Sequence, residues 1–317
     1  MAHELTQRSS GLVEMAYVGG QPWHGLGQEL AAGADIGKWT EQAGMDWLVK
    51  RSRVRFGEGA SQQTWDKHHV LFRSDTKAPL GVVGQDYKIV QPRECLEFFR
   101  DLVGEYGFEL NTAGTLFGGR KFWALASIGE SACIIGTDKV GGYLLLTSSC
   151  DGTSSTTAKF VVERVVCNNT LTMAMKEGGK VVSTSHRTAF KPEQVQDRLG
   201  IVRGAFSGFV QASRALASRE VSQMRAAEMT EALLTATKTV TREDVTDSAG
   251  FRSIMQLFAT GKGNNGKTAW DWVNGVTEYV DHVQRAKSES HRLANVWFGK
   301  GDALKSAAMT QALELIA

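Results

Sequence analysis

Two runs, Gly142–Ser148 (GYLLLTS) and Thr156–Glu163 (TTAKFVVE), flank Asp151-Gly152, and this stretch decides the fold class. Asp-Gly is a strong short-range hairpin signal, because both positions tolerate the positive φ that tight turns demand. The flanking residues are aliphatic or β-branched and suit paired strands. Upstream, Glu109–Leu116, the turn Phe117-Gly118-Gly119-Arg120 and Lys121–Ile128 read as a second hairpin. Before that pair, Pro92 opens a helix whose apolar face carries Leu96, Phe99, Leu102, Val103 and Tyr106 at spacings of three and four. After Arg164, the residues Val165, Val166, Asn169, Leu171 and Met173 suggest a further helix. The order helix, four antiparallel strands, helix predicts an α+β domain rather than a parallel βαβ one.

Working outward, Trp47–Phe56 reads as a strand with Leu48, Val54 and Phe56 on one face. Trp47, Val49, Arg51, Arg53 and Arg55 alternate onto the other. His69–Arg73, Leu80–Val83 and Tyr87–Val90 follow as shorter strand-like runs. The first 44 residues, rich in glycine with Trp23 and Trp39 interspersed, suit an irregular wrap packed on the sheet. Beyond residue 188 the periods are helical. Val195, Leu199, Val202, Phe206 and Phe209 form one stripe, and Trp272, Val276, Tyr279 and Val283 another. Leu304, Ala308, Ala312 and Leu315 close the chain, with Asp302 in an N-cap position. The expected organisation is an N-terminal wrap over 1–44, an α+β sheet domain over 45–187 and a mainly helical region over 188–317.

Composition bounds the function. The 317 residues include 36 basic and 34 acidic side chains, so any affinity for nucleic acid must come from local clustering. No run of about 18 apolar residues occurs, and the N-terminus lacks an apolar signal core, so a cytoplasmic protein without a membrane partner is expected. Cys95, Cys133, Cys150 and Cys167 have no zinc-ligand spacing and read as buried thiols in a reducing compartment. The seven histidines include no HExxH, and His68-His69 in a strand would face opposite ways, so neither metal nor other cofactor is expected. No nucleophile elbow is present, and Asp151–Ser155 reads more simply as a turn than as an active loop.

Gly261-Lys-Gly-Asn-Asn-Gly266-Lys267-Thr268 satisfies the phosphate-loop pattern G-x-x-x-x-G-K-[ST]. A phosphate loop leaves a buried strand, however, and the preceding Phe251, Ile254, Met255, Leu257 and Phe258 have helical spacing. A helix entry at Thr268, with Lys267 beside a nucleic-acid phosphate, fits the pattern better than an NTPase, and a solvated Gly/Asn loop fits it better still. No enzymatic activity is expected.

The basic residues carry the functional reading. Lys50, Arg51, Arg53 and Arg55 contain no acid among them, and Arg73 lies on the next strand. Arg120 and Lys121 sit at a hairpin tip beside Phe117, Phe122 and Trp123, and Lys159 and Arg164 add charge near the Asp-Gly hairpin. Cations for phosphates and flat rings for bases are what single-stranded nucleic acid requires. A solvated strand face accounts for the same exposed residues. With Lys267, these ten positions form the candidate nucleic-acid surface.

Pro22–Gly27 (PWHGLG), Tyr87–Pro92 (YKIVQP), Phe160–Leu171 (FVVERVVCNNTL), Gly266–Trp270 (GKTAW), Val276–His282 and Trp297-Phe298-Gly299 together resemble the phage- and plasmid-related family catalogued as domain of unknown function 932. The resemblance covers nearly the whole chain. It implies a mobile-element context, in which replication and recombination genes cluster, and it places the Gly-Lys-Thr run at a helix entry. The helix, strands, helix order is also similar to the core of single-strand annealing proteins, the Rad-fifty-two, Red-beta and RecT group. That second similarity implies ATP-independent binding and annealing of single-stranded DNA by a homo-oligomeric ring or filament, working with phage or plasmid recombination proteins. The alternative is a structural or regulatory assembly protein of a mobile element, with no nucleic-acid activity.

Overall fold

The computed structural model describes every residue except 1–5, 9, 20–24, 165–168, 173–181, 192–201 and 238–244. The N-terminal segment carries two short strands, β1 (Met15–Val18) and β2 (Gln28–Leu30), and helix α1 (Ile36–Gln42), which Asp35 caps. The irregular wrap expected for 1–44 is thus partly regular: β1 pairs antiparallel with a central strand, and Trp39 is fully buried. Trp23 lies outside the described residues.

Three strands follow as a separate antiparallel sheet in the order β3 (Val49–Phe56), β4 (Gln63–Arg73) and β5 (Pro79–Gly84). Tyr87–Val90 adds no strand to it. That segment is tied down instead by the Tyr87 amide donating to the Gly84 carbonyl and the Lys88 amide donating to that of His186. Helix α2 (Pro92–Tyr106) starts as expected, with Gln91 and Glu94 completing a reciprocal capping box. Its buried stripe includes Cys95, Leu96, Phe98, Phe99 and Leu102, each large side chain stabilising the fold by about 1.5–3 kcal/mol through burial.

The hairpins follow at the expected places: β6 (Glu109–Leu116) with β7 (Lys121–Cys133), then β8 (Lys139–Ser149) beside β9 (Thr156–Arg164). Two shorter strands pair antiparallel with β9: β10 (Asn169–Thr172) on its second half and β11 (Val182–Thr184) on its first. Asn169–Thr172 corrects the expected helix after Arg164. Its polar and β-branched residues complete the hydrogen bonds of β9 instead, while Val165, Val166 and Met173 lie outside the described residues.

The rest of the chain is helical: α3 (Val202–Ser218), α4 (Gln223–Thr237), α5 (Ala249–Thr260), α6 (Ala269–Glu278), a π turn over Tyr279–Val283, α7 (Glu289–Phe298) and α8 (Lys300–Leu313). The chain is therefore of the α+β class, with a mainly antiparallel sheet and helices in its C-terminal half. All of α6 is buried, and Gly275 permits close packing there, since a Cβ would stand 2.8 Å from the Phe258 amide nitrogen. Gly299 is the cap of α8, so Asp302 sits in the first turn rather than at the N-cap. Among the described residues, no helix is long and apolar enough to cross a membrane.

Two compact units interleave along the chain instead of following one another. One comprises 1–129, 143–159 and 180–200; the other comprises 130–142, 160–179 and 201–317. Strands β7, β8 and β9 each contribute residues to both.

Candidate nucleic-acid interface

In the first unit, alternation along β3 puts Arg51 and Arg53 on one face, and Arg55 continues it beyond an irregularity in the pairing with β4 between Arg53 and Val54. The register extends that face across the sheet: Arg51 lies opposite Leu71 and Arg53 opposite His69, and these in turn lie opposite Gly81 and Val83. All three arginines are exposed, as is Lys50 on the opposite face. Among the described residues no carboxylate pairs with any of the four. The Arg51 Nη2 donates to the Tyr87 carbonyl at 2.7 Å, which anchors the inner end of the stripe.

The tip of the β8–β9 hairpin lies on this same face. A Cβ at Gly81 would come 2.7 Å from the Asp151 Cα, so only glycine allows the approach. Asp151 fixes the tip by accepting from the Thr153 amide at 2.9 Å and the Thr153 hydroxyl at 2.6 Å. Beneath the tip opens a cavity of about 810 Å³, lined by Val83, Asp86, Tyr87, Ser155, His186 and Arg187 among others. The Tyr87 and His186 rings stack with centroids 4.4 Å apart. Burial raises the Tyr87 hydroxyl pKa, keeping it protonated, and it donates to the Ser149 carbonyl at 2.8 Å. The His186 Nδ1 lies 2.9 Å from the Lys88 carbonyl, and its Nε2 is buried with no hydrogen-bond partner among the described residues.

The ten sequence-derived positions fare differently. Lys50, Arg51, Arg53, Arg55, Arg120 and Lys267 are exposed, and Lys121 is half-buried. Arg73, Lys159 and Arg164 are buried, which removes them from any phosphate-neutralising surface. Arg73 is held by Glu14 and Asp75 and lies 4.2 Å from the Trp47 ring centre. Arg164, in the second unit, donates to Asp138 at 2.7 Å and to the carbonyls of Lys262 and Gly263. Alternation on strands misleads here because a buried arginine with a carboxylate partner has the same sequence signature as a solvated one.

The aromatic residues are also redistributed. Phe122 and Trp123 are core residues. Trp65, 45% exposed, stands opposite Val54 and packs on His68, so it belongs to the face away from the three arginines. Charge and exposed rings do not interleave on one face of this ribbon. What sequence reasoning missed is the cavity. Tyr87 and His186 are 99 positions apart, and the sequence signals were the Tyr87–Pro92 motif and the polar Asp151–Ser155 turn.

In the second unit, the phosphate-loop match is a capped helix entry. The amides of Lys267 and Thr268 donate to the Asp271 carboxylate at 3.1 and 3.0 Å, and the Thr268 hydroxyl accepts from the Asp271 amide. A carboxylate already occupies the position an anion would need, and it would repel phosphate. The preceding carbonyls are engaged by Arg164, whose partner Asp138 also accepts from the Trp270 indole at 2.8 Å. Among the described residues no cluster of His, Cys, Asp or Glu could hold a metal ion. Cys95 and Cys150 are buried thiols with pKa values pushed up by burial, whereas Cys133 is exposed and Cys167 lies outside the described residues.

Residues 79–297 match the model of a family described as Domain of unknown function (DUF932). Searches of curated proteins and of solved structures gave no match.

Proposed function

Since the chain belongs to the DUF932 family, whose description carries no activity, we propose that its first unit binds single-stranded DNA along the arginine face of β3, β4 and β5. The observation that carries this reading is the stripe of Arg51, Arg53 and Arg55: three exposed guanidinium groups on one strand face, without carboxylate partners among the described residues. Alternate residues on a strand are about 6.5–7 Å apart, close to the phosphate spacing of an extended single strand. Binding is electrostatic and needs no nucleotide hydrolysis. Annealing follows from holding two strands at once, as a homo-oligomer acting with phage or plasmid recombination proteins.

The test is anisotropy of a labelled single-stranded oligonucleotide at low and high salt, followed by a complementary-strand annealing assay. Affinity should fall steeply with salt, with a log–log slope of about 0.7 per neutralised phosphate. Salt-independent affinity, or none, would reject the reading. The second reading, an assembly protein, is favoured by the opposite sheet face, which exposes Leu48, Phe56 and Val82. It expects oligomerisation indifferent to nucleic acid.

A further inference from the structure

The cavity under the β8–β9 hairpin tip lies on the arginine side of the ribbon, and its chemistry differs from that of the stripe. Asp86 and Asp151 outnumber Arg187 among its charged walls, while Thr153, Ser155 and Ser185 supply hydroxyls. The cavity therefore disfavours phosphate, whereas Arg51, Arg53 and Arg55 favour it. A nucleotide at the inner end of the stripe resolves that difference by leaving its phosphate on the arginines and turning its base inward. The volume, about 810 Å³, lies within the range of about 300–1,000 Å³ of small-molecule sites and exceeds what one base requires.

We propose that this cavity receives one unstacked, amino-bearing nucleobase of the bound strand, an inference that rests on the reading of the first unit as a single-strand binder. Carboxylates accept from exocyclic amines, which cytosine, adenine and guanine carry and thymine lacks. Asp86 is exposed and has no partner among the described residues, so it is free to accept such a bond; Asp151 is already committed in part to Thr153. The Tyr87–His186 stack forms a flat, rigid part of the wall. Among the described residues of the paired strands, the one ring on the arginine face is the half-buried His69, so the cavity is where a base on this side finds apolar contact and hydrogen bonds together.

The experiment measures the affinity of the full chain for oligodeoxycytidine, oligothymidine and an abasic oligomer of equal length, at low salt. The wild type should bind oligodeoxycytidine about tenfold more tightly than either of the others. Asp86→Ala and the cavity-filling Ser155→Trp should each reduce that preference to less than about threefold. Equal affinity of the wild type for all three oligomers, or a preference that survives both variants, would overturn the cavity assignment and leave the arginine stripe standing. Absence of binding to every oligomer would instead reject the single-strand reading, and the cavity assignment with it.

Discussion

The Glu14 carboxylate grips the Arg73 guanidinium from both sides inside the first unit, with Oε1 2.6 Å from Nη2 and Oε2 3.0 Å from Nη1. Glu14 also accepts from the Thr115 hydroxyl, Asp75 accepts from the Arg73 Nε and Nη2, and the Gly118 carbonyl accepts from Nη1. Breaking one side of such a pair strands a buried charge, which costs about 3–5 kcal/mol. Glu14→Leu and Arg73→Met should therefore each lower the melting temperature sharply, whereas the double variant should lose less than the sum of the two. Thermal unfolding of the two single variants and the double variant checks this. Additive losses would show that the pair is not coupled.

Asp75 gives the same cluster an acid limit. Its hydrogen bond from Arg73 outweighs burial and lowers its pKa from 3.8 to about 2. A carboxylate whose folded pKa lies below its unfolded value contributes stability that is fully present above the unfolded value and is lost as pH falls through the folded one. Stability should decline between about pH 4 and pH 2, and Asp75→Asn should flatten that part of the profile. The half-exposed position of Asp75 keeps the effect small. Urea midpoints measured across this range test it; an unchanged slope in Asp75→Asn would show that another group governs it.

How far such clusters were legible in the sequence depends on the range of the contacts. The hairpins β6–β7 and β8–β9 and the start of α2 depend on neighbours a few residues away, and Asp151-Gly152 and Pro92 announced them. The Arg51, Arg53 and Arg55 alternation was equally local. Arg73 and Arg164 were misread because Glu14 and Asp138, 59 and 26 positions away, decide whether an arginine faces water. Strand β10 was missed for the same reason: Val165, Val166, Asn169, Leu171 and Met173 together have a helical look, and only pairing with β9 makes Asn169–Thr172 a strand.

Asp271 closes the entry of α6 by accepting from the amides of Lys267 and Thr268. Lys267→Ala should leave stability within about 0.5 kcal/mol, as for exposed positions generally. Asp271→Ala removes acceptors for two backbone amides and should cost about 0.5–2 kcal/mol. Chemical denaturation of both variants separates them. Magnesium-dependent phosphate release by the wild type that is lost in Lys267→Ala would contradict the capped geometry.

Trp65 provides a control for the proposed interface, because it belongs to the ribbon face opposite the arginines. A stacking platform loses about 1–3 kcal/mol per base when truncated to alanine. Trp65→Ala should change single-strand affinity by less than about twofold. A tenfold loss in the same anisotropy titration would place the strand on the other face.

In the proposed complex, Arg51, Arg53 and Arg55 carry the phosphates of the bound single strand. The salt dependence of oligonucleotide binding, compared between the wild type and the triple variant Arg51→Gln, Arg53→Gln, Arg55→Gln, tests this. Three lost phosphate contacts should reduce the log–log slope by about 2 and weaken binding at low salt, with unfolding unchanged. A triple variant that keeps the wild-type slope and affinity would contradict the assignment.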